Sequence, residues 1–399
     1  MQSMPDASPA KWHLAHLTWF FETFVLEKFE RGFKPFDASF RVLFNSYYNG
    51  VGDKYPRPRR GLISHPSLAQ VLDYRAQVNE RVLDVLAKAP KTSQNELAQL
   101  ITLGLHHEQQ HQELLLTDIK HALSFNPQRP AYAKRWPLTG TNPQPQRWHS
   151  YAGGLAEHGF GAAHDKGFAF DNETPRHRAY IAPFELASRL VTNGEMLAFI
   201  ADGGYQRPEL WLAMGWDWLQ AGQHQLPLYW TRAGGTERGG EYRNYTLQGM
   251  VDVDPNTPVC HLSYFEADAF ARWSGARLPT EFEWELAARA LPASGEQPGN
   301  FVERAVYHPL PQQGPGHGAP AQLLGDVWEW TQSNYNPYPG YQPWEGLAGE
   351  YNGKFMCNQF VLRGGSCATA QSHVRSSYRN FFPPDAQWQF SGLRLARDA

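Results

Sequence analysis

The chain has 399 residues with 36 Lys+Arg against 39 Asp+Glu, a formal charge of −3, and no long basic run, so nothing in it points to a nucleic-acid partner. Its three cysteines, Cys260, Cys357 and Cys367, are widely spaced and odd in number, which excludes a disulfide framework and a C-x-x-C metal site and suits a reducing compartment. There is no apolar run of about 18 residues to span a membrane and no basic signal-peptide start, so a cytoplasmic protein is expected.

In chain order, Ser8-Pro9 reads as an N-cap followed by proline in the first turn, opening a helix from about Ala10 to Phe29. Its stripe is Trp12, His16, Trp19, Thr23 and Leu26, spaced by threes and fours, so His16 is expected on the buried face. His13 lies off that stripe and is expected at the surface. Phe36–Pro58 is aromatic and irregular. Within it, Tyr47 and Tyr48 read as packing aromatics with wet hydroxyls. Arg57 and Arg60 follow, either as a solvated basic turn or as a bidentate hold on a carboxylate. A second amphipathic helix is expected from Ser67 to about Leu86, with Leu68, Val71, Leu72, Val78, Val82 and Val85 on its apolar face.

The third helix, about Gln94–Leu123, carries the clearest chemistry. Ser93-Gln-Asn-Glu96 reads as a capping box, and Leu97, Leu100, Gly104, His107, His111, Leu114 and Asp118 form a buried line. His107 and His111 stand one turn apart on that line, a spacing that lets two imidazoles hold one divalent metal. His16 becomes the candidate third ligand. His107-Glu108-x-x-His111 also matches the zinc protease motif, in which Glu108 would be the general base. The usual downstream extension is missing, because Leu114 and Thr117 stand where its Gly and His would be. Three long helices read as a bundle, and bundles build metal sites between facing helices.

From Asn126 to about Arg147, Pro127, Pro130, Pro137, Pro143 and Pro145 mark an extended linker. Beyond it, short alternating segments and scarce helices suggest an α+β domain to the end of the chain. Helices are expected there around Glu266–Trp273 and Glu281–Ala290.

The stretch Ser8-Pro-Ala-Lys-Trp-His-Leu-Ala-His16, followed by His107-Glu-Gln-Gln-His111, resembles the DinB-like helical domain of iron(II)-dependent sulfoxide synthases. Val191-Thr-Asn193, Arg277-Leu-Pro-Thr-Glu-Phe-Glu-Trp284, Gly325-Asp-Val-Trp-Glu-Trp330 and Arg363-Gly-Gly-Ser366 resemble the formylglycine-generating-enzyme/sulfatase-modifying domain, a C-type-lectin-like fold. Together they cover nearly the whole chain and resemble the ergothioneine-pathway sulfoxide synthases, the hercynine oxygenase (EgtB) family. Asn45-Ser-Tyr-Tyr48 and Arg379-Asn-Phe-Phe382 are similar to its bacterial type II branch. The resemblance implies a fold of class α + (α+β). A DinB-like helix bundle would occupy residues 1–125, a Pro-rich linker 126–147, and a C-type-lectin-like formylglycine-generating-enzyme-type domain 148–399. It also implies a first bundle helix upstream of the present start, so the expectation is either that the start is misassigned or that the bundle has three helices here.

The resemblance further implies a reaction in which Fe(2+) and O2 couple a thiol, cysteine or γ-glutamylcysteine, to the imidazole C2 of hercynine, giving a sulfoxide. His16, His107 and His111 then match the iron ligands, and Tyr47, with its neighbour Tyr48, the catalytic tyrosine. Arg57 and Arg60 match the pair that holds the thiol substrate's carboxylate. Gln110, Asn380, Phe381 and Phe382 match the hercynine pocket, where aromatic faces and amide oxygens suit a trimethylammonium group that donates no hydrogen bond. The active site is expected to draw on both domains. The family's resemblance to formylglycine generators does not extend to a copper-binding cysteine pair, and Cys357 and Cys367 are expected to be structural. The Trp-rich motifs are expected to be core. Other readings remain open on the sequence: an ovothiol-type or selenoneine synthase on the same fold, a zinc hydrolase using Glu108, or a lectin-like binding module with a structural metal.

Overall fold

The computed structural model describes all residues except 135–143, 162–164, 166, 234–241, 290, 292–298 and 313–318. Of the expected linker prolines, Pro137 and Pro143 lie outside the described residues. The chain divides into two compact units. The first is Met1–Phe125 with Pro343–Lys354 and a short stretch ending at Phe168, and the second holds the remainder from Asn126 onward.

In the first unit, α1 (Ala10–Phe21) continues through a π-helical turn, Glu22–Leu26, into a last turn, Glu27–Phe29. The helix spans the expected length, but Ser8 does not cap it. Its hydroxyl accepts from Arg60 Nη1 at 3.0 Å instead, and Pro9 stands at the cap position. The indole N–H groups of Trp12 and Trp19 donate to the carbonyls of Leu43 and Arg41, both at 3.2 Å. These bonds tie α1 to the short helix Phe40–Leu43 within the segment expected to be irregular. The π-turn serves a buried carboxylate: Glu22 accepts from the Phe36 N–H at 2.8 Å and the Tyr74 hydroxyl at 2.7 Å. Burial raises its pKa despite these donors.

Next, α2 (Leu68–Lys88) opens with a reciprocal cap between Ser67 and Gln70, worth about 1 kcal/mol. Its buried line is Val71, Tyr74, Val78, Val82 and Val85. Leu68 and Leu72, expected on the apolar face, are about half exposed, at 53% and 51%. The line runs through Tyr74 instead, and one residue of offset rotates a side chain by about 100°.

In turn, α3 (Gln94–Ser124) starts where the sequence predicts but without a capping box. The Ser93 hydroxyl donates to Pro90 O at 3.1 Å, and Glu96 pairs with Lys28. Of the expected line, Leu97, Gly104, His107, His111 and Asp118 are buried, whereas Leu100 and Leu114 are half-buried. Gly104 has a specific reason to be glycine: a Cβ there would sit 2.6 Å from the Phe21 ring. The absence of that carbon lets α1 and α3 approach closely enough for His16 to meet the α3 histidines.

The second unit is mostly short strands. A three-stranded sheet pairs β1 (Trp148–Tyr151) and β12 (Ala396–Asp398) on either side of β4 (Phe184–Ala187), all antiparallel. The two ends of the unit are thus laced into one sheet. A hairpin joins β2 (Gly154–His158) to β3 (His177–Ile181), and β5 (Trp230–Arg232), β6 (Tyr242–Thr246) and β7 (Gly249–Asp252) form a meander. The last sheet has the order β10 (Asn380–Phe382), β9 (Phe360–Arg363), β8 (Trp328–Asn334), β11 (Ser391–Gly392), with only β11 parallel to its neighbour.

Among the described residues the unit also holds the α-helices α4 (Asn193–Ala201), α5 (Ala213–Gly222), α6 (Tyr264–Trp273) and α7 (Glu281–Ala288). The last two agree with the sequence expectation. Capping boxes start α4, α6 and α7 at Thr192/Glu195, Ser263/Glu266 and Thr280/Glu283. The Trp-rich motifs are scaffold. Trp284, Trp328 and Trp330 are fully buried, and Arg277 forks onto Glu283 at 2.7 and 2.8 Å. Three fully buried arginines are each matched to a buried carboxylate: Arg363 to Glu285, Arg379 to Glu281 at 2.8 Å, and Arg394 to Glu329 at 2.9 Å. Cys367 is buried and Cys357 exposed.

Candidate metal centre

His16 from α1 and His107 and His111 from α3 converge in the first unit, with one ligand nitrogen from each lying within 4.8 Å of the others. All three are buried, at 0%, 2% and 8% exposure. Burial is the main force lowering their pKa values, and mutual repulsion adds to it for His16 and His111. His107 is brought down to about 3. All three imidazoles are therefore neutral near pH 7 and carry a free lone pair, the form a metal requires.

The lone pairs are aimed by what holds the other nitrogen. His16 Nδ1 donates to the Phe44 carbonyl at 2.7 Å, leaving Nε2 for a ligand. That Nε2 lies 3.2 Å from His107 Nε2. Two nitrogens bound at about 2.1 Å and roughly right angles to one metal sit about 3 Å apart, so the pair fits the same ion. His111 Nδ1 is 2.8 Å from His13 Nδ1, which leaves His111 Nε2 for the cluster. The His16 ring is stacked between Trp12 (4.6 Å) and Trp19 (5.5 Å) one turn away on either side, which fixes its plane.

His13 is not the surface residue the sequence suggests. It is 3% exposed, because Asp118 of α3 takes its Nε2–H at 3.0 Å and supplies the polar partner that a buried imidazole needs. Only the pairing of two helices reveals this.

Arg60 lies beside the cluster and is buried, whereas Arg57 is exposed and donates to the Asp6 carbonyl at 2.6 Å. Arg60 reaches Ser8 Oγ at 3.0 Å and Ser46 Oγ at 2.9 Å, and its guanidinium lies 3.5 Å over the Trp12 ring. Its Nε has no hydrogen-bond partner, and among the described residues no carboxylate lies within ion-pair distance. Burial and the nearby Arg57 lower its pKa to about 9, against the pull of Asp118.

Tyr48 is fully buried between Trp19, Phe24 and Tyr47, and burial pushes its phenol well above the usual range. Tyr47 is half-buried, with its hydroxyl 3.4 Å from that of Tyr48 and the Lys354 ammonium 4.9 Å over its ring. The segment Pro343–Lys354 adds a residue that no sequence signal marked. Tyr351 donates to Gln110 Oε1, and its ring lies 5.6 Å from that of His107. Glu108 of the protease-like motif forms an ion pair with Arg75. In the second unit, Asn380, Phe381 and Phe382 form the edge strand β10, half-buried, with Phe381 stacked 4.0 Å from Tyr335.

Comparison with known proteins adds breadth to this picture. Residues 2–115 match the DinB superfamily model and residues 140–399 the sulfatase-modifying factor enzyme 1-like domain. The chain is 30% identical to the formylglycine-generating enzyme of Streptomyces coelicolor over 61% of its own length and 87% of that protein's. It is 33% identical to the hercynine oxygenase of Mycolicibacterium thermoresistibile, covering 99% of this chain and 88% of the relative. It is also 34% identical to the hercynine oxygenase of Mycobacterium tuberculosis, covering 99% of this chain and 92% of the relative. With likeness of that extent across both units, the chain belongs to the hercynine oxygenase family.

Proposed function

We propose that this protein is a hercynine oxygenase that uses iron(II) and O2 to join the sulfur of a cysteine-type thiol to the imidazole C2 of hercynine, giving a sulfoxide for ergothioneine synthesis. The observation that carries the reading is the convergence of three buried, neutral imidazoles in a member of this family. The cluster fits the metal: its nitrogens are deprotonated, two are oriented by partners on the far side of the ring, and two stand at a bridging distance. Iron(II) held by His16, His107 and His111 would supply the O2 chemistry that side chains lack.

The remaining roles belong to the chain's own groups. Arg60, held in place by two hydroxyls and a tryptophan face, offers a guanidinium edge to the thiol substrate's carboxylate, with Arg57 beside it. The Tyr47 hydroxyl is the proton donor, and Tyr48 supports it by stacking at 4.6 Å. Gln110, anchored by Tyr351, is assigned to hercynine. In the second unit, considered by itself, Asn380, Phe381 and Phe382 offer the amide oxygen and aromatic faces that suit a quaternary ammonium, which gains about 0.5–2 kcal/mol against a ring face. The engagement of Glu108 by Arg75 weighs against its use as a protease base. A cytoplasmic location suits the exposed free Cys357, and no helix among the described residues is long and apolar enough to cross a membrane.

The test is O2 uptake by anaerobically iron-loaded protein, with hercynine and cysteine or γ-glutamylcysteine added singly and together, and mass spectrometry of the product. Uptake only with both substrates, yielding the sulfoxide-bridged conjugate, is the expected result. Uptake independent of hercynine overturns the reading.

A further inference from the structure

We propose that His13 and Asp118 are positioning residues that act through His111, forming a carboxylate–imidazole–imidazole chain that fixes which His111 nitrogen is offered to the metal and how strongly it donates. The inference rests on the reading of His16, His107 and His111 as metal ligands.

The direction of the chain follows from its end. Asp118 Oδ2 accepts, so His13 Nε2–H is the donor across 3.0 Å. With the proton of the His13 ring on Nε2, its lone pair is on Nδ1, which accepts from His111 Nδ1–H across 2.8 Å. His111 is left with a lone pair on Nε2. Each member is buried, so water does not compete for these bonds. Asp118 is itself anchored by the Ser8 N–H at 2.7 Å, just before α1 begins. His111 and Asp118 lie seven residues apart on one face of α3, and His13 crosses from α1 to close the gap between them.

The three ligands are consequently not equivalent. His16 is backed by a neutral carbonyl, that of Phe44. His107 Nδ1 is buried with no hydrogen-bond partner. Only His111 is backed, through His13, by a full negative charge. A ligand whose far N–H faces an anionic acceptor is the more basic one and holds its metal more tightly. His111 is therefore the strongest donor of the three, and the chain favours the higher oxidation state of a bound iron.

Two variants separate this role from mere packing. His13→Phe fills the site but breaks the chain. Asp118→Asn keeps an oxygen that can accept from Ser8 N–H and His13 while removing the charge. Iron(II) affinity is measured by chelator competition, the iron(III)/iron(II) potential by redox titration, and the His111 tautomer by 15N-histidine spectra of the metal-free protein. Circular dichroism checks the fold of each variant.

The parent is expected to carry the His111 proton on Nδ1. His13→Phe is expected to weaken iron(II) binding about 10- to 100-fold. Asp118→Asn should raise the potential and weaken binding less, and in the His13→Phe background it should cost nothing further, because it acts only through His13. A His111 proton on Nε2, binding by His13→Phe within twofold of the parent, or undiminished Asp118→Asn effects in the His13→Phe background would each overturn the proposal. If the parent binds neither iron(II) nor cobalt(II), the ligand reading falls instead, while the 15N spectrum still decides whether the hydrogen-bond chain exists.

Discussion

In the second unit, Arg363, Arg379 and Arg394 are fully buried, and each meets a buried glutamate. In the first unit, Arg60 is almost as deeply buried and meets two hydroxyls and an indole face. Three neutral histidines crowd together nearby. A charge without a counter-charge and lone pairs without protons cost stability in the free protein. The contrast separates groups completed by the fold from groups that a ligand would complete. Burial and residue type alone do not separate them, since both units bury arginine. The informative feature is what the polar atoms face.

The largest test of that contrast is at the cluster. His107→Ala should abolish high-affinity metal binding and lower turnover by more than the about 100-fold typical of losing a partner behind a ligand. The metal-free protein should stay folded, which circular dichroism checks. A variant that still bound iron at parent affinity would remove His107 from the ligand set. The opposite pattern is expected in the second unit. Glu281→Ala strands Arg379 and should cost about 3–5 kcal/mol in denaturant unfolding. Arg60→Met joins the two cases: stability within about 1 kcal/mol of the parent or above it, together with a thiol KM raised at least about tenfold, the worth of a charged hydrogen bond. A large stability loss without a KM change would make Arg60 structural.

The pH dependence works on both units. His107 and His158 each have a folded pKa of about 3, chiefly through burial, against an ordinary value of 6.5. Between those values the unfolded chain binds protons that the folded chain refuses, so stability rises with pH in that window and falls as pH drops below 6.5. Each group contributes up to about 1.4 kcal/mol per pH unit there. Denaturant titrations of the metal-free protein at pH 7, 6 and 5 should show that loss, reduced in His107→Phe. The smallest stability effect is expected from Tyr47→Phe, under about 1 kcal/mol, since the residue is half-buried and its hydroxyl contact with Tyr48 is long, at 3.4 Å. Its effect should appear in the products, with more oxidised thiol and less C–S conjugate by mass spectrometry.

The sequence makes the helices, the His107/His111 face and the place of His16 legible because each rests on local periodicity. The caps at Ser8 and Ser93 do not form, because each hydroxyl takes a competing partner, a distant one for Ser8 and one three residues back for Ser93. Arg60 claims one and the Pro90 carbonyl the other. The burial of His13 depends on Asp118, 105 residues away, and the role of Tyr351 on Gln110, 241 residues away. No pattern within one helix encodes such meetings. Asp118 does stand on the predicted buried line of α3, and a carboxylate there is the one local sign that a polar partner has to arrive from elsewhere.

The π-turn at Glu22–Leu26 has a consequence for how this segment tolerates insertion and deletion. A π-turn is one extra residue lodged in an α-helix. Removing any residue from it would restore the α-helical phase and turn the flanking segments about 100° relative to each other. Either Glu22 would lose Phe36 and Tyr74, or Trp12, His16 and Trp19 would swing away from α3. Substitution along this stretch is a matter of packing, but its length is fixed by the histidine upstream.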